Sequence, residues 1–224
     1  MFRLCTGASL RGARRASILC SAAAVSLITA IGCSNSPPQI EQIELHVVHH
    51  FTAEGAPQAP RLTVFADVSD LDGEGEIAAL ELRSTDLPAR WQLEGDALQP
   101  QRRDGQSWYG NADLLLPGGL IPDTVVIEVT DLSGRSDTRR IAIPPYDPRE
   151  NPPQFTQTAV ILPEAVRSAA YWFSDGAIEP ASPMPALDGR PQVALQSDPS
   201  RDHWIIAVVS EHHWLAIGPV TPAP

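Results

Sequence analysis

The feature that most constrains this chain is an apolar alternation of period two that runs, interrupted by turns, from Ile43 to Ile143. Ile43, Leu45 and Val47 share one parity, as do Leu62, Val64, Ala66 and Val68, then Leu80 and Leu82, then Trp91 and Leu93. Val125, Ile127 and Val129 follow, and after a turn Ile141 and Ile143. Successive side chains of a strand point to opposite faces, so these runs read as half-buried strands. Turn formers separate them: Glu54-Gly55-Ala56-Pro57, Asp70 to Gly75, Asp104-Gly105, Pro117-Gly118-Gly119 and Asp131-Leu132-Ser133-Gly134. With a weaker strand around Trp108, about seven strands fall in roughly 105 residues, the density of an antiparallel β-sandwich.

Two stretches carry a resemblance to the immunoglobulin-like and fibronectin-like modules of bacterial surface proteins. One is Val64 to Ile77, a strand running into Asp-Leu-Asp-Gly. The other is Val125 to Ile143, where Val-Ile-Glu-Val-Thr-Asp-Leu-Ser-Gly leads into a returning strand. The resemblance covers about half the chain and implies an architecture, not a ligand. Beyond it, residues 147–153, with Pro148, Pro152 and Pro153, read as a linker. Pro163 to Phe173 suits a short helix or a strand, 174–191 is Pro-, Gly- and Ala-rich and reads as a long loop, and Trp204 to Val209 with Trp214 to Val220 reads as a hairpin. The expectation is an all-β chain: an immunoglobulin-like antiparallel β-sandwich over 39–146, then a smaller β-rich C-terminal unit over 154–222.

The amino terminus reads as an export signal. Arg3, Arg11, Arg14 and Arg15 precede an uncharged run from Ala16 to Ile31 that, at 1.5 Å per helical residue, falls short of the roughly 30 Å membrane core. The run ends in Leu27-Ile28-Thr29-Ala30-Ile31-Gly32-Cys33, which resembles the lipobox of bacterial lipoproteins, although Ala30 stands where that family usually has Leu. The resemblance implies a signal peptide over 1–32, removed in the mature protein, and lipidation of Cys33 with palmitate-type chains. It also implies a tether over 33–38 and a place in the cell envelope, bound to the membrane through that lipid. Ser34, where inner-membrane retention often uses Asp, implies the outer membrane over the inner.

Charge and cysteine count narrow the function. Loss of residues 1–32 removes four arginines and no acid, so a net charge of −11 becomes −15. Such a surface repels phosphate backbones and argues against a nucleic-acid partner. Cys5, Cys20 and Cys33 all lie at or before the lipidation site, so the mature body has no thiol for a disulfide, a metal or nucleophilic catalysis. All sixteen basic residues are arginine, which excludes lysine chemistry.

The acidic run from Asp70 to Glu81 places oxygen ligands at alternate positions, as the calcium loop of EF-hands does, with Asp70, Asp72 and Glu74 as candidate ligands and Gly75 at the sixth position. A strand precedes it where an EF-hand has a helix, so the competing reading is an acidic turn between strands. Glu81 is not expected to join a calcium site. His49-His50 and His212-His213 cannot chelate as strand neighbours, because adjacent side chains diverge. His46 with His50, or His203 with one of the later pair, can meet in a fold, and hydrogen-bonded or solvent-facing histidines are the plainer expectation. Trp91, Trp108, Tyr109, Trp172, Trp204 and Trp214 fit core packing or a sugar-stacking platform.

No nucleophile elbow, His-Glu-x-x-His or phosphate-cradling loop is present, and no enzyme is expected. The expected function is a membrane-anchored envelope lipoprotein with a non-enzymatic ectodomain that docks an envelope protein or is structural. The alternative is a calcium-assisted carbohydrate-binding module on the cell surface. No cofactor beyond that calcium is implied.

Overall fold

The computed structural model describes residues 36–69, 77–173, 177–195 and 202–220. Cys33 and the loop residues Asp70, Asp72 and Glu74 lie outside the described residues.

Eight strands build the first half: β1 (Gln39–Phe51), β2 (Arg61–Ser69), β3 (Ile77–Ser84), β4 (Arg90–Glu94), β5 (Gln99–Arg103), β6 (Gln106–Leu115), β7 (Thr124–Asp131) and β8 (Ser136–Ala142). The order β1-β2-β6-β5 lies in one sheet and β4-β3-β7-β8 forms another. That is the immunoglobulin arrangement of an ABED sheet over a GFC sheet, with β4 as an added C′ strand. The alternation explains the packing. Leu45, Val47, Leu62, Val64 and Ala66 from one sheet meet Leu80, Leu82, Leu93, Val125, Ile127 and Val129 from the other in one buried cluster. Strand β5, Gln-Pro-Gln-Arg-Arg, has no apolar alternation and was not expected; it is an edge strand, where proline costs no ladder bond.

The β7–β8 hairpin shows how a turn residue fixes local structure. The Asp131 side chain is sealed inside and accepts bonds from the Arg135 backbone N–H at 2.9 Å and from its guanidinium at 2.8 to 2.9 Å. Gly134 takes φ +80° and donates back to Asp131 O at 3.0 Å.

Eight shorter strands follow: β9 (Gln154–Phe155), β10 (Ala159–Ile161), β11 (Ser168–Phe173), β12 (Ile178–Pro180), β13 (Pro183–Leu187), β14 (Arg190–Ala194), β15 (His203–Val208) and β16 (His213–Val220). Pro163 to Phe173 resolves in favour of a strand, β11, and the long loop expected over 174–191 instead contains β12 and β13 and the start of β14. Both new strands are sheet edges, where Pro180, Pro183 and Pro185 are compatible with strand pairing. The hairpin of β15 and β16 is antiparallel.

The two halves share a sheet. β1, thirteen residues long, pairs antiparallel with β2 through Gln39 to Val48 and parallel with β16 through Val47 to Phe51. The large sheet therefore runs β12-β11-β15-β16-β1-β2-β6-β5, and β13-β14-β10-β9 forms a third sheet. A second core gathers Phe51, Val160, Leu162, Tyr171, Phe173, Val193, Ile205, Leu215 and Ile217. The cores separate near the expected linker, whereas the sheet does not, and Phe51 of β1 belongs to the second core. Where β16 does not reach, the edge of β1 is covered from β8: Ile40 N–H donates to Asp137 Oδ2 at 2.9 Å and Arg139 donates to Ile40 O at 3.0 Å.

Candidate binding face and histidine seam

The outer face of the large sheet differs between its ends. Near β5 it carries Phe65 and Trp108, both buried because Arg103 from β5 lies over them, 4.9 Å from the Phe65 ring centre and 5.2 Å from that of Trp108. Arg103 is held by Glu44 and Gln101. Among the described residues no such cap covers the other end. There the side chains alternate so that His203, Ile205 and Ala207 point inward, while Trp204, Ile206 and Val208 point outward and are half-buried. Trp172 faces Trp204 across the β11–β15 pair, Ile178 faces Trp172 across β11–β12, and Trp214 faces Val208 across β15–β16. Trp172 is 40% exposed and Ile178 71%. Ala216 of β16 and His46, Val48 and His50 of β1 complete the patch. None of these positions is a carboxylate or an arginine, in a chain with 27 acids.

Gly218 explains how one indole lies on this face. A Cβ there would stand 3.1 Å from two ring carbons of Trp204 and from His203 O, and the residue has φ +150°. The absent side chain lets the Trp204 ring rest against the backbone of β16.

Four of the six histidines stitch β1 to β16 and its preceding turn. His46 Nδ1 bonds Glu211 O at 2.8 Å and its ring stacks on Trp214 at 4.1 Å. His212 Nδ1 bonds Leu45 O at 2.9 Å. His49 and His213, both buried, meet at 3.1 Å from Nε2 to Nδ1, and His213 Nε2 reaches Pro144 O at 2.6 Å. Tyr146 packs against both rings at 5.3 and 5.2 Å, and its buried hydroxyl has no partner among the described residues. Burial, with the neighbouring His213 adding to it, pushes His49 down to about 4. Burial likewise lowers His213, against the pull of the Pro144 carbonyl, and lowers His46, against that of Glu211 O. A pocket of about 440 Å³ opens beside the seam, lined by His49, His50, Phe51, Leu120, Tyr146 and Arg149 among others.

The two meetings that the sequence allowed, His46 with His50 and His203 with one of the later pair, are not those the fold makes, and His46, His49, His212 and His213 are hydrogen-bonded. His50 turns its edge to Trp204 at 6.5 Å, and His203 packs against Tyr171 and Phe173. The pair that meets, His49 with His213, was not anticipated, because it depends on a parallel pairing between strands more than 160 residues apart. One signal was present: Trp204 to Val209 is apolar at every position, which marks a strand apolar on both faces in the interior of a sheet. Trp91 packs against the first core and donates to Leu115 O at 2.8 Å, whereas Trp172, Trp204 and Trp214 lie on the outer face. Glu81 is held by Arg83 and Arg90.

Strand order and packing define an all-β protein of immunoglobulin-like sandwich architecture, continued by a second β-rich layer pair through a shared strand. No protein-family model matches the chain, and no curated protein matches it. Among solved structures it is similar to one titled "Anomalous substructure of Titin-A168169", at 6% identity and a TM-score of 0.24, over 82% of this chain and 100% of that one. The fold assignment rests on the strand order and not on this likeness.

Proposed function

We propose that the chain is an exported lipoprotein, cut before Cys33 and held in the cell envelope by lipid, whose non-enzymatic ectodomain docks a protein partner through the uncapped end of its large sheet. The anchor reading is supported by the lipobox-like run and the apolar segment before it. The docking reading is carried by one observation: the same sheet face is covered by Arg103 at one end, while at the other Trp172, Ile178, Trp204, Ile206 and Val208 present an apolar surface with no such cover among the described residues. An apolar patch of this kind on an acidic protein is costly to leave in water and serves contact.

A photocrosslinking residue placed in living cells at Trp172 or Ile206, with Thr138 on β8 as the control position, tests the docking. Discrete adducts from the first two positions and none from the third are expected. No adducts, or the same adducts from Thr138, would remove the docking claim. The flat seating of Trp204 over Gly218 favours a second reading, stacking of a neutral sugar. Retardation by neutral polysaccharide in affinity electrophoresis, abolished by Trp204→Ala, would establish that reading in place of the first.

A further inference from the structure

The buried imidazoles of the seam form one directed chain. Pro144 O can only accept, so its 2.6 Å contact places the proton of His213 on Nε2. His213 Nδ1 is then an acceptor, and His49 Nε2 donates to it across 3.1 Å. Both rings are neutral in this arrangement, and both are enclosed. The chain ends on the segment 144–149, which has no strand pairing of its own and supplies Tyr146, Asp147, Pro148 and Arg149 to the wall of the pocket.

We propose that this chain is an acid-opened latch, holding the strap 144–149 against β16 while His49 and His213 are neutral and releasing it when they are protonated. A proton on His49 makes an imidazolium in an enclosed site beside a second imidazole. A second proton puts two like charges about 3 Å apart, which an interior cannot hold. The surrounding groups do not offset this. His50 opposes a cation on His49 from β1 and His212 opposes one on His213 from the turn, whereas Arg61 of β2 acts on His50 outside the buried pair and the Pro144 carbonyl favours the cation on His213 only in part against burial. Asp147 on the strap favours it, but its carboxylate is already bonded by the guanidinium and backbone N–H of Arg149 at 2.9 Å. Glu44 and Glu211 face His46 and Asp113 faces His50, outside the buried pair. Hydration of the rings relieves the charge, and the strap, which has no strand pairing, yields first.

The test uses the full chain in detergent micelles. Histidine side-chain NMR gives the titration midpoints, and hydrogen exchange of the strap amides, corrected for the intrinsic pH dependence, gives the opening. The expected result is that His49 titrates well below the ordinary histidine value and His213 below it, and that strap opening rises about tenfold per unit fall in pH over the same interval, as one proton per opening requires. In His49→Leu with His213→Gln, where Gln retains a donor for Pro144 O, strap opening becomes independent of pH. Flat exchange in the native chain, a rise that persists unchanged in the variant, or midpoints near 6.5 would overturn the latch. Should the variant fail to fold, coincidence of the His49 titration with strap opening in the native chain decides the matter alone.

Discussion

At the scale of single residues, two glycines and two titrating side chains carry the most weight. Gly110 of β6 lies opposite Phe65, and a Cβ there would fall onto the Val64 carbonyl and the Phe65 backbone. Gly110→Ala must displace main chain and is expected to prevent folding or lower the melting temperature by more than any surface substitution. Gly218→Ala adds a strained backbone to a crowded indole and is expected to cost about 1–3 kcal/mol, read as a lower melting temperature. The pH dependence of stability follows from His49 and Asp131, and the signs differ. His49 is depressed from 6.5 to about 4, so between those values the unfolded chain binds more protons than the folded one. Stability is therefore whole above about 6.5 and falls as pH drops through the window, by roughly 3 kcal/mol for this group. For Asp131, burial pushes the carboxyl up but the Arg135 backbone and guanidinium contacts outweigh it, and it ends below its ordinary value. Its contribution is present above that ordinary value and is lost only in stronger acid. Thermal melts across pH should thus show the histidine loss first, and His49→Leu should reduce that first loss, leaving the part due to the other lowered histidines, His213 among them, and leave the second unchanged.

At the scale of elements, β1 does two jobs in one run of backbone. Its first part packs Leu45 and Val47 into one core and its last residue, Phe51, into the other. Phe51→Ala should cost about 3–5 kcal/mol and act mainly on the far side. Hydrogen exchange is expected to accelerate in β11, β15 and β16 while β3 and β7 stay protected; equal acceleration everywhere would mean that the two cores melt as one unit. This sharing marks the limit of what the sequence discloses. The alternation from Ile43 to Ile143 is a local signal, and its six runs fall on or beside six of the first eight strands, with the weaker strand read around Trp108 as the seventh. β5, β12 and β13 lack that signal: they are edges, rich in proline or polar residues, and are strands only because a neighbour offers them a ladder. The parallel join of β1 to β16, and with it the His49–His213 pair, arises from chain ends meeting, which no local period encodes. Even the tryptophans divide on this ground, since Trp108 lies under Arg103 from a different strand and Trp172 has no such neighbour among the described residues.

At the scale of the whole molecule, the proposed lipid anchor precedes a body built on two cores and one shared sheet. With residues 1–32 removed, as proposed, the chain contains no cysteine besides Cys33, so a reductant should leave the melting temperature of that form unchanged. Millimolar calcium tests the Asp70, Asp72 and Glu74 loop. If it binds, the melting temperature rises, by about 2.7 kcal/mol of stabilisation at a hundredfold excess over Kd, and Asp70→Ala with Asp72→Ala abolishes the rise. If magnesium does as much, the loop is an acidic turn. The docking face and the latch both presuppose a protein displayed outside the cytoplasm. The measurement that bears most directly on that premise is metabolic labelling with a palmitate analogue, followed by membrane fractionation of the native chain and of Cys33→Ser. The account predicts label and membrane association for the native chain and loss of both in the variant. Label that survives the substitution, or a native chain that never takes it up, would contradict it.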